Sequence, residues 1–318
     1  MSSVPVPPEA PRRLCDRDID EIALHLLERM LVRKARNTLL RDDLAELGNQ
    51  MSPHELSQVY QFLVATTSED GLAQVRGVAP MWSQLHGGGG AVYTRETLFE
   101  GTTLFRSAVQ GPVRPALVCF TSKLDGMFMP NVRFLELLGK YPVDVVMNST
   151  PSGTFGLWNL GGTGSFAGSL RLMNAALAVR GIVPKAYAGA SAGCAPALYA
   201  ATLDEGTSAL LFGCRFFVPG RNIPLSQAGT AFEPICDCWQ GKMPITYNIF
   251  GGLQPIDVEN DNRLRALVPG ARSYPLPNDD THSPMVTLTA RRKLRAVIDL
   301  LVQVAEGATV SFDLAVQP

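Results

Sequence analysis

The sequence predicts an α/β fold in which a mostly parallel central sheet is flanked by helices and preceded by an N-terminal helical extension. Three observations predict it. From about residue 91 onward, short apolar runs alternate with helical segments, the pacing expected of parallel strands joined by crossover helices. Before that point, apolar residues recur at helical spacing instead. The composition, 46% apolar and 18% charged over 318 residues, is enough for a full core and excludes a disordered chain.

The elements follow in chain order. Residues 1–13, proline-rich, read as a disordered arm without the apolar stretch of a signal peptide. Between Asp16 and about Arg36, Ile19, Ile22, Ala23, Leu26, Met30 and Leu31 fall on one helical face. Acids at its start and Arg33, Lys34 and Arg36 at its end match the helix dipole. A second helix is expected at "SPHEL", where Ser52 caps, Pro53 suits the first helical position and Glu55 closes a capping box. The glycine run His86 to Gly90 reads as a joint between an extension over 1–90 and a strand-rich domain over 91–318.

In that second part, strands are expected at 103–109, 115–121, 143–150, 182–188, 208–214, 244–251 and 271–277. Helices are expected at 131–141, 169–181, 192–203, about 258–267 and 286–305.

Bulk properties narrow the function. Lys plus Arg number 28 against 29 Asp plus Glu, so no net field recruits nucleic acid or an anionic membrane. No run approaches the roughly 18 to 20 apolar residues of a membrane span, and a cytoplasmic location is expected. Six cysteines in so long a chain do not make a disulfide framework. Cys236 and Cys238 lack zinc-ligand spacing, so no metal is expected. "GGTGSFAG" at 161–168 has neither a Walker ending nor a clean dinucleotide fingerprint, so no cofactor is expected.

The chemistry concentrates in "YAGASAGCAPALYAA". Gly189, Ser191 and Gly193 have the spacing G-x-S-x-G between an apolar strand and an alanine-rich helix. A sharp turn there presents Ser191 at a strand end and a helix N-terminus, where developing negative charge is favoured. A serine nucleophile needs a base. Of the four histidines, His25, His54 and His86 precede the strand-rich region, and only His282 follows Ser191.

These residues resemble the α/β-hydrolase superfamily over roughly residues 100–305, in which nucleophile, acid and histidine follow one another along the chain. The resemblance implies an orienting acid in the loop after a late strand. The position that usually carries it is Gln254 here, and Asp257 is the choice, with Asp261, Asp279 and Asp280 as alternatives and Glu233 and Asp237 further out. Apart from that role, Asp257 reads as a helix N-cap. The resemblance also implies oxyanion donors at the Ala192 amide and in the loop after 115–121, at Thr121, Ser122 or Lys123. Lys123, Met127, Phe128 and Met129 then stand beside the site, with Phe155 and Trp158 on a wall over it. Core packing is the competing role for the large apolar ones.

The implied function is serine-dependent acyl transfer through an acyl-enzyme, by an esterase, thioesterase or acyltransferase acting on a small or carrier-bound acyl substrate. The N-terminal helices read as a dimerisation or carrier-docking element, or as a cover for one side of the sheet. The rival is an inactive scaffold of the same fold that binds a ligand or partner.

Overall fold

The computed structural model describes residues 13–31, 38–78, 92–111, 114–122, 126–149, 165–215 and 244–310. The chain divides into two compact units, Met1–Gly90 and Ala91–Pro318.

The first unit is helical. Helices α1 (Ile19–Leu31), α2 (Thr38–Gln50), α3 (Pro53–Thr66) and α4 (Glu69–Val78) follow a short 3-10 turn at Leu14–Asp16. Ile22, Ala23, Leu26 and Met30 of α1 are buried, as their spacing requires. At the start of α3 the capping box closes: the Glu55 amide donates to Ser52 Oγ at 3.2 Å and the Ser52 amide to Glu55 Oε2 at 2.8 Å. Helix α2 was not expected. Its buried Leu40, Leu44 and Leu47 keep helical spacing, but the surrounding charged and polar residues mask them.

The second unit is built on an eight-stranded sheet. Its strands are β1 (Tyr93–Phe99), β2 (Thr102–Ser107), β3 (Ala116–Phe120), β4 (Asp144–Asn148), β5 (Pro184–Ala190), β6 (Ser208–Phe212), β7 (Ile245–Gly251) and β8 (Arg272–Leu276). Their spatial order is β1-β2-β4-β3-β5-β6-β7-β8. Only β2 runs against the rest, pairing antiparallel with both β1 and β4. Every other adjacent pair is parallel.

Side chains alternate across this sheet with the period of two that strands impose. Along β5, Ala186, Ala188 and Ala190 face one core, while Tyr187 faces the other. Helices α5 (Asn131–Leu138), α9 (Pro284–Ala290) and α10 (Leu294–Ala305) supply Phe134, Leu135, Met285, Leu288, Val297 and Leu301 to the first core. Helices α6 (Phe166–Ala178), α7 (Cys194–Leu203) and α8 (Pro255–Leu267) supply Leu170, Leu177, Leu198 and Leu264 to the second. Each such side chain taken fully out of water stabilises the fold by about 1.5–3 kcal/mol.

Two expectations are corrected. Strand β1 was not anticipated, because four consecutive polar residues, Thr94 to Thr97, fill its middle and only Tyr93 is buried. The long helix expected over 286–305 is two helices. The Arg292 amide donates to Thr289 O at 3.1 Å and the Lys293 amide to Leu288 O at 2.9 Å, with Arg292 left-handed at φ +57°. That pair of bonds ends α9 as a Schellman turn before α10 restarts.

The chain passes from β3 outward to β4, then returns across β3 to β5. The strand order therefore reverses between β3 and β5, and the carboxyl ends of strands at such a reversal are where ligands of open α/β sheets bind. The turn at Ser191 follows β5, and the loop beginning at Thr121 follows β3.

Candidate active site

Ser191 leaves β5 through a 3-10 turn, Ser191–Gly193, that runs directly into α7. Its backbone is left-handed at φ +52°, unusual for a residue with a Cβ and sustained only where the surroundings fix it. The flanking glycines show why this turn needs them. A Cβ on Gly189 would sit 2.3 Å from Gly193 O, and one on Gly193 would sit 2.1 Å from Phe120 O. The first glycine lets the chain fold back on itself, and the second lets the start of α7 press against the end of β3. Cys194, one residue on, is buried and donates its thiol to Gly189 O at 3.2 Å.

His282 reaches Ser191 from the loop between β8 and α9. Its Nε2 lies 2.8 Å from Ser191 Oγ, and its Nδ1 lies 2.6 Å from Asp257 Oδ1. A carboxylate only accepts, so Nδ1 carries the proton and Nε2 accepts from the serine hydroxyl. Asp257 is fully buried, and its other carboxylate oxygen has no hydrogen-bond partner among the described residues. A buried carboxylate with one partner holds that partner's ring in a single tautomer and orientation.

Asp257 does not lie in a loop, and it is not an N-cap. It sits in the first turn of α8, whose N-cap is Gln254. Pro255 opens the helix early, which extends α8 upstream of the expected start and aims the carboxylate across the turn. Gln254, the departure from the family pattern, has its own part. Its side-chain amide donates to Asp280 O at 2.9 Å, and the neighbouring Leu253 amide donates to Asp279 O at 2.7 Å. These bonds tie the acid-bearing segment to the histidine-bearing loop.

Of the alternative acids, Asp261 and Asp279 are occupied elsewhere and Asp280 is exposed. Asp261 accepts from Asn248 at 2.8 Å and Ser273 at 2.6 Å and pairs with Arg265. Asp279 accepts from the Thr281 amide and hydroxyl. Glu233 and Asp237 lie outside the described residues.

On the oxyanion side, Ala192 is half-buried in the first turn after β5, among the opening amides that a helix leaves without an internal acceptor. The Thr121 and Ser122 amides are a correction. Thr121 donates to Asn148 O at 3.1 Å and Ser122 to Gly126 O at 2.9 Å, so neither amide is free for an oxyanion. Asn148, which the sequence reading did not single out, organises this corner: its carbonyl also accepts the Thr121 hydroxyl, while its side chain donates to Cys119 O and accepts from Thr102. An asparagine closing an apolar run was the available signal.

Met127 is also corrected. It is fully buried in the core beside Phe134 and Leu135, which makes it a packing residue and not a pocket wall. Phe128 and Met129 are half-buried against the same core, and Phe128 stands edge-to-face with His282. Lys123, Phe155 and Trp158 lie outside the described residues. Of the glycine-rich stretch 161–168, only Ser165 to Gly168 is described, and there Ser165 caps α6 by accepting from the Gly168 amide at 3.0 Å. Among the described residues, no group of three His, Cys, Asp or Glu side chains is placed to hold a metal ion. No described helix is long and apolar enough to cross a membrane.

No protein-family model matches the chain, and no curated protein is a significant match. Solved structures with a similar shape do exist. A 2,6-dihydroxy-pseudo-oxynicotine hydrolase aligns over 96% of this chain and 92% of its own, at 14% identity and a TM-score of 0.48. A bacterial heroin esterase aligns over 75% and 93%, at 16% identity and a TM-score of 0.47. A fluorophosphonate-binding serine hydrolase of Staphylococcus aureus aligns over 68% and 99%, at 11% identity and a TM-score of 0.48. Strand order, strand direction and the turn at Ser191 identify the fold of the second unit. By those criteria the second unit has the α/β-hydrolase fold, and the resemblance first drawn from a few residues extends to the whole sheet.

Proposed function

We propose that the protein is a serine-dependent acyl-transfer enzyme, an esterase or thioesterase working through an acyl-enzyme. One observation carries this reading: the unbroken hydrogen-bonded chain from Ser191 through His282 to Asp257. In the first half-reaction Ser191 Oγ attacks the carbonyl carbon of an ester or thioester as its proton passes to His282 Nε2. Asp257 holds the imidazole in the productive tautomer and favours the imidazolium, and the Ala192 amide donates to the oxyanion. The intermediate collapses, the C–O or C–S bond breaks, and His282 returns the proton to the leaving group. Water then attacks the acyl-enzyme with His282 again as base, releasing the acid and restoring Ser191. An alcohol, amine or thiol in place of water gives transfer instead of hydrolysis, with the same residues in the same roles.

The experiment is labelling with a fluorophosphonate probe. Wild type is expected to label at one site and Ser191→Ala not at all; no labelling of wild type, or labelling that survives Ser191→Ala, overturns the reading. A panel pairing aryl esters with acyl thioesters, with and without an added acceptor, then separates esterase, thioesterase and acyltransferase. The N-terminal helical unit is proposed to dimerise the chain or dock an acyl carrier, and sedimentation of the full chain reads the first directly.

A second reading, a binding scaffold without turnover, is favoured by the committed amides of Thr121 and Ser122. It predicts that wild type neither labels nor turns over any ester of the panel.

A further inference from the structure

Two hydrogen bonds fix the imidazole of His282 at its two nitrogens, one to Ser191 and one to Asp257. They set two points of the ring but leave it free to rock about the line that joins them. Rocking moves the Nε2 lone pair off the serine hydroxyl, and proton transfer is sensitive to such misplacement. Something must therefore pack against the ring.

That neighbour is Phe128. Its ring centroid lies 5.5 Å from that of His282, with the planes at 87°. This is the edge-to-face arrangement that aromatic quadrupoles prefer. Two further features show that the contact is built in. Phe128 holds a left-handed backbone at φ +59°, a conformation that a bulky side chain keeps only when its surroundings fix it. Gly213, at the end of β6 and also left-handed at φ +56°, closes the same group: a Cβ there would sit 3.3 Å from His282 Cε1, 3.3 Å from Phe128 Cζ and 2.9 Å from His282 O. Backbone, phenyl ring and imidazole thus share one small packed space, and the phenyl ring rests on the core behind it.

We propose that Phe128 is a positioning residue for His282, keeping Nε2 aimed at Ser191 through both proton transfers, and that substrate contact is not its main work. The proposal rests on the serine-hydrolase reading of the same site. A positioning residue acts on kcat, whereas a substrate wall acts on KM.

The test measures turnover of p-nitrophenyl acetate and the rate of fluorophosphonate labelling in wild type, Phe128→Leu and Phe128→Tyr, with thermal melts as a check of folding. Phe128→Leu is expected to lower kcat and the labelling rate each about tenfold, with KM changing less than about twofold. Phe128→Tyr, which keeps the ring, is expected to restore both. If Phe128→Leu does not fold, Phe128→Asn, a side chain that tolerates the left-handed backbone, replaces it with the same readouts. Three results overturn the proposal: unchanged kcat and labelling in the truncated variant, a loss carried wholly by KM, or a Tyr variant as impaired as Leu. An unlabelled wild type overturns the serine-hydrolase reading and the role of Phe128 with it. A labelled wild type beside unaffected variants removes the role of Phe128 alone.

Discussion

At Ser191 a left-handed backbone, two crowded glycines and a histidine 2.8 Å away meet in a single turn. Each can be perturbed separately. His282→Ala is expected to abolish turnover of an activated aryl ester, since no other described histidine reaches the serine, and initial-rate assays check it. Asp257→Asn leaves the shape of the site but offers Nδ1 a group that can also donate, so the wrong tautomer becomes available. Its expected cost is roughly 10³ to 10⁴-fold in kcat. Near-normal rates would move the orienting role to another acid. Gly193→Ala forces a methyl group into the Phe120 carbonyl, and slower fluorophosphonate labelling together with a lower melting temperature is expected. The sequence showed Ser191 and His282 through spacing and elimination. The resemblance put Asp257 first among several carboxylates in neighbouring stretches, and the geometry sets its Oδ1 2.6 Å from His282 Nδ1.

The elements differ in how plainly they announced themselves. Strands β3, β5 and β6 were legible because they are buried on both faces and are mostly small or apolar, Lys185 near the start of β5 being the one charged residue among them. The start of α3 was legible because its capping box is a local code, and Ser52→Ala is expected to destabilise the first unit by about 1 kcal/mol in denaturant melts. Strand β1 and helix α2 were not, since elements with exposed faces carry fewer apolar residues. The break between α9 and α10 was hidden for a different reason: Arg292 is an unusual choice for a left-handed cap that glycine normally fills. Helix α7, buried on nearly every side, presses against β5 and β6. Leu198→Ala at its centre is expected to cost about 2–5 kcal/mol, read by chemical denaturation.

On the scale of the whole second unit, stability is expected to grade outward from the centre of the sheet. Amides of β3, β5 and β6 should exchange with solvent slowest, and those of the edge strand β1 fastest, in native-state hydrogen exchange. Thiols offer an independent reading of the same gradient. Burial pushes the Cys119 thiol well up from its usual range, and burial together with Cys194, Asp261 and Asp257 does the same to Cys214. Alkylation needs the thiolate, so a raised value means that both stay protonated and unreactive as pH rises. Even at about pH 9, where a free cysteine is largely ionised, iodoacetamide should modify them only at the rate of unfolding. Fast modification of either in the folded protein would contradict the burial.

The sequence by itself determined the alternation of strand and helix, the two-sided burial of the central strands and the turn that carries Ser191. All of these are written in local spacing and side-chain size. Tertiary structure decided the rest, because the rest depends on segments far apart in the chain. It brought His282 within 2.8 Å of a serine 91 positions earlier, and it chose Asp257 over Asp261 by committing the latter to Asn248 and Ser273. It also withdrew the Thr121 and Ser122 amides from the oxyanion side and set Phe128 against the imidazole. Such contacts are fixed by the parallel run of β3, β5, β6, β7 and β8, which carries the loops that follow these strands to one end of the sheet, and no periodicity along the chain encodes which of those loops meet.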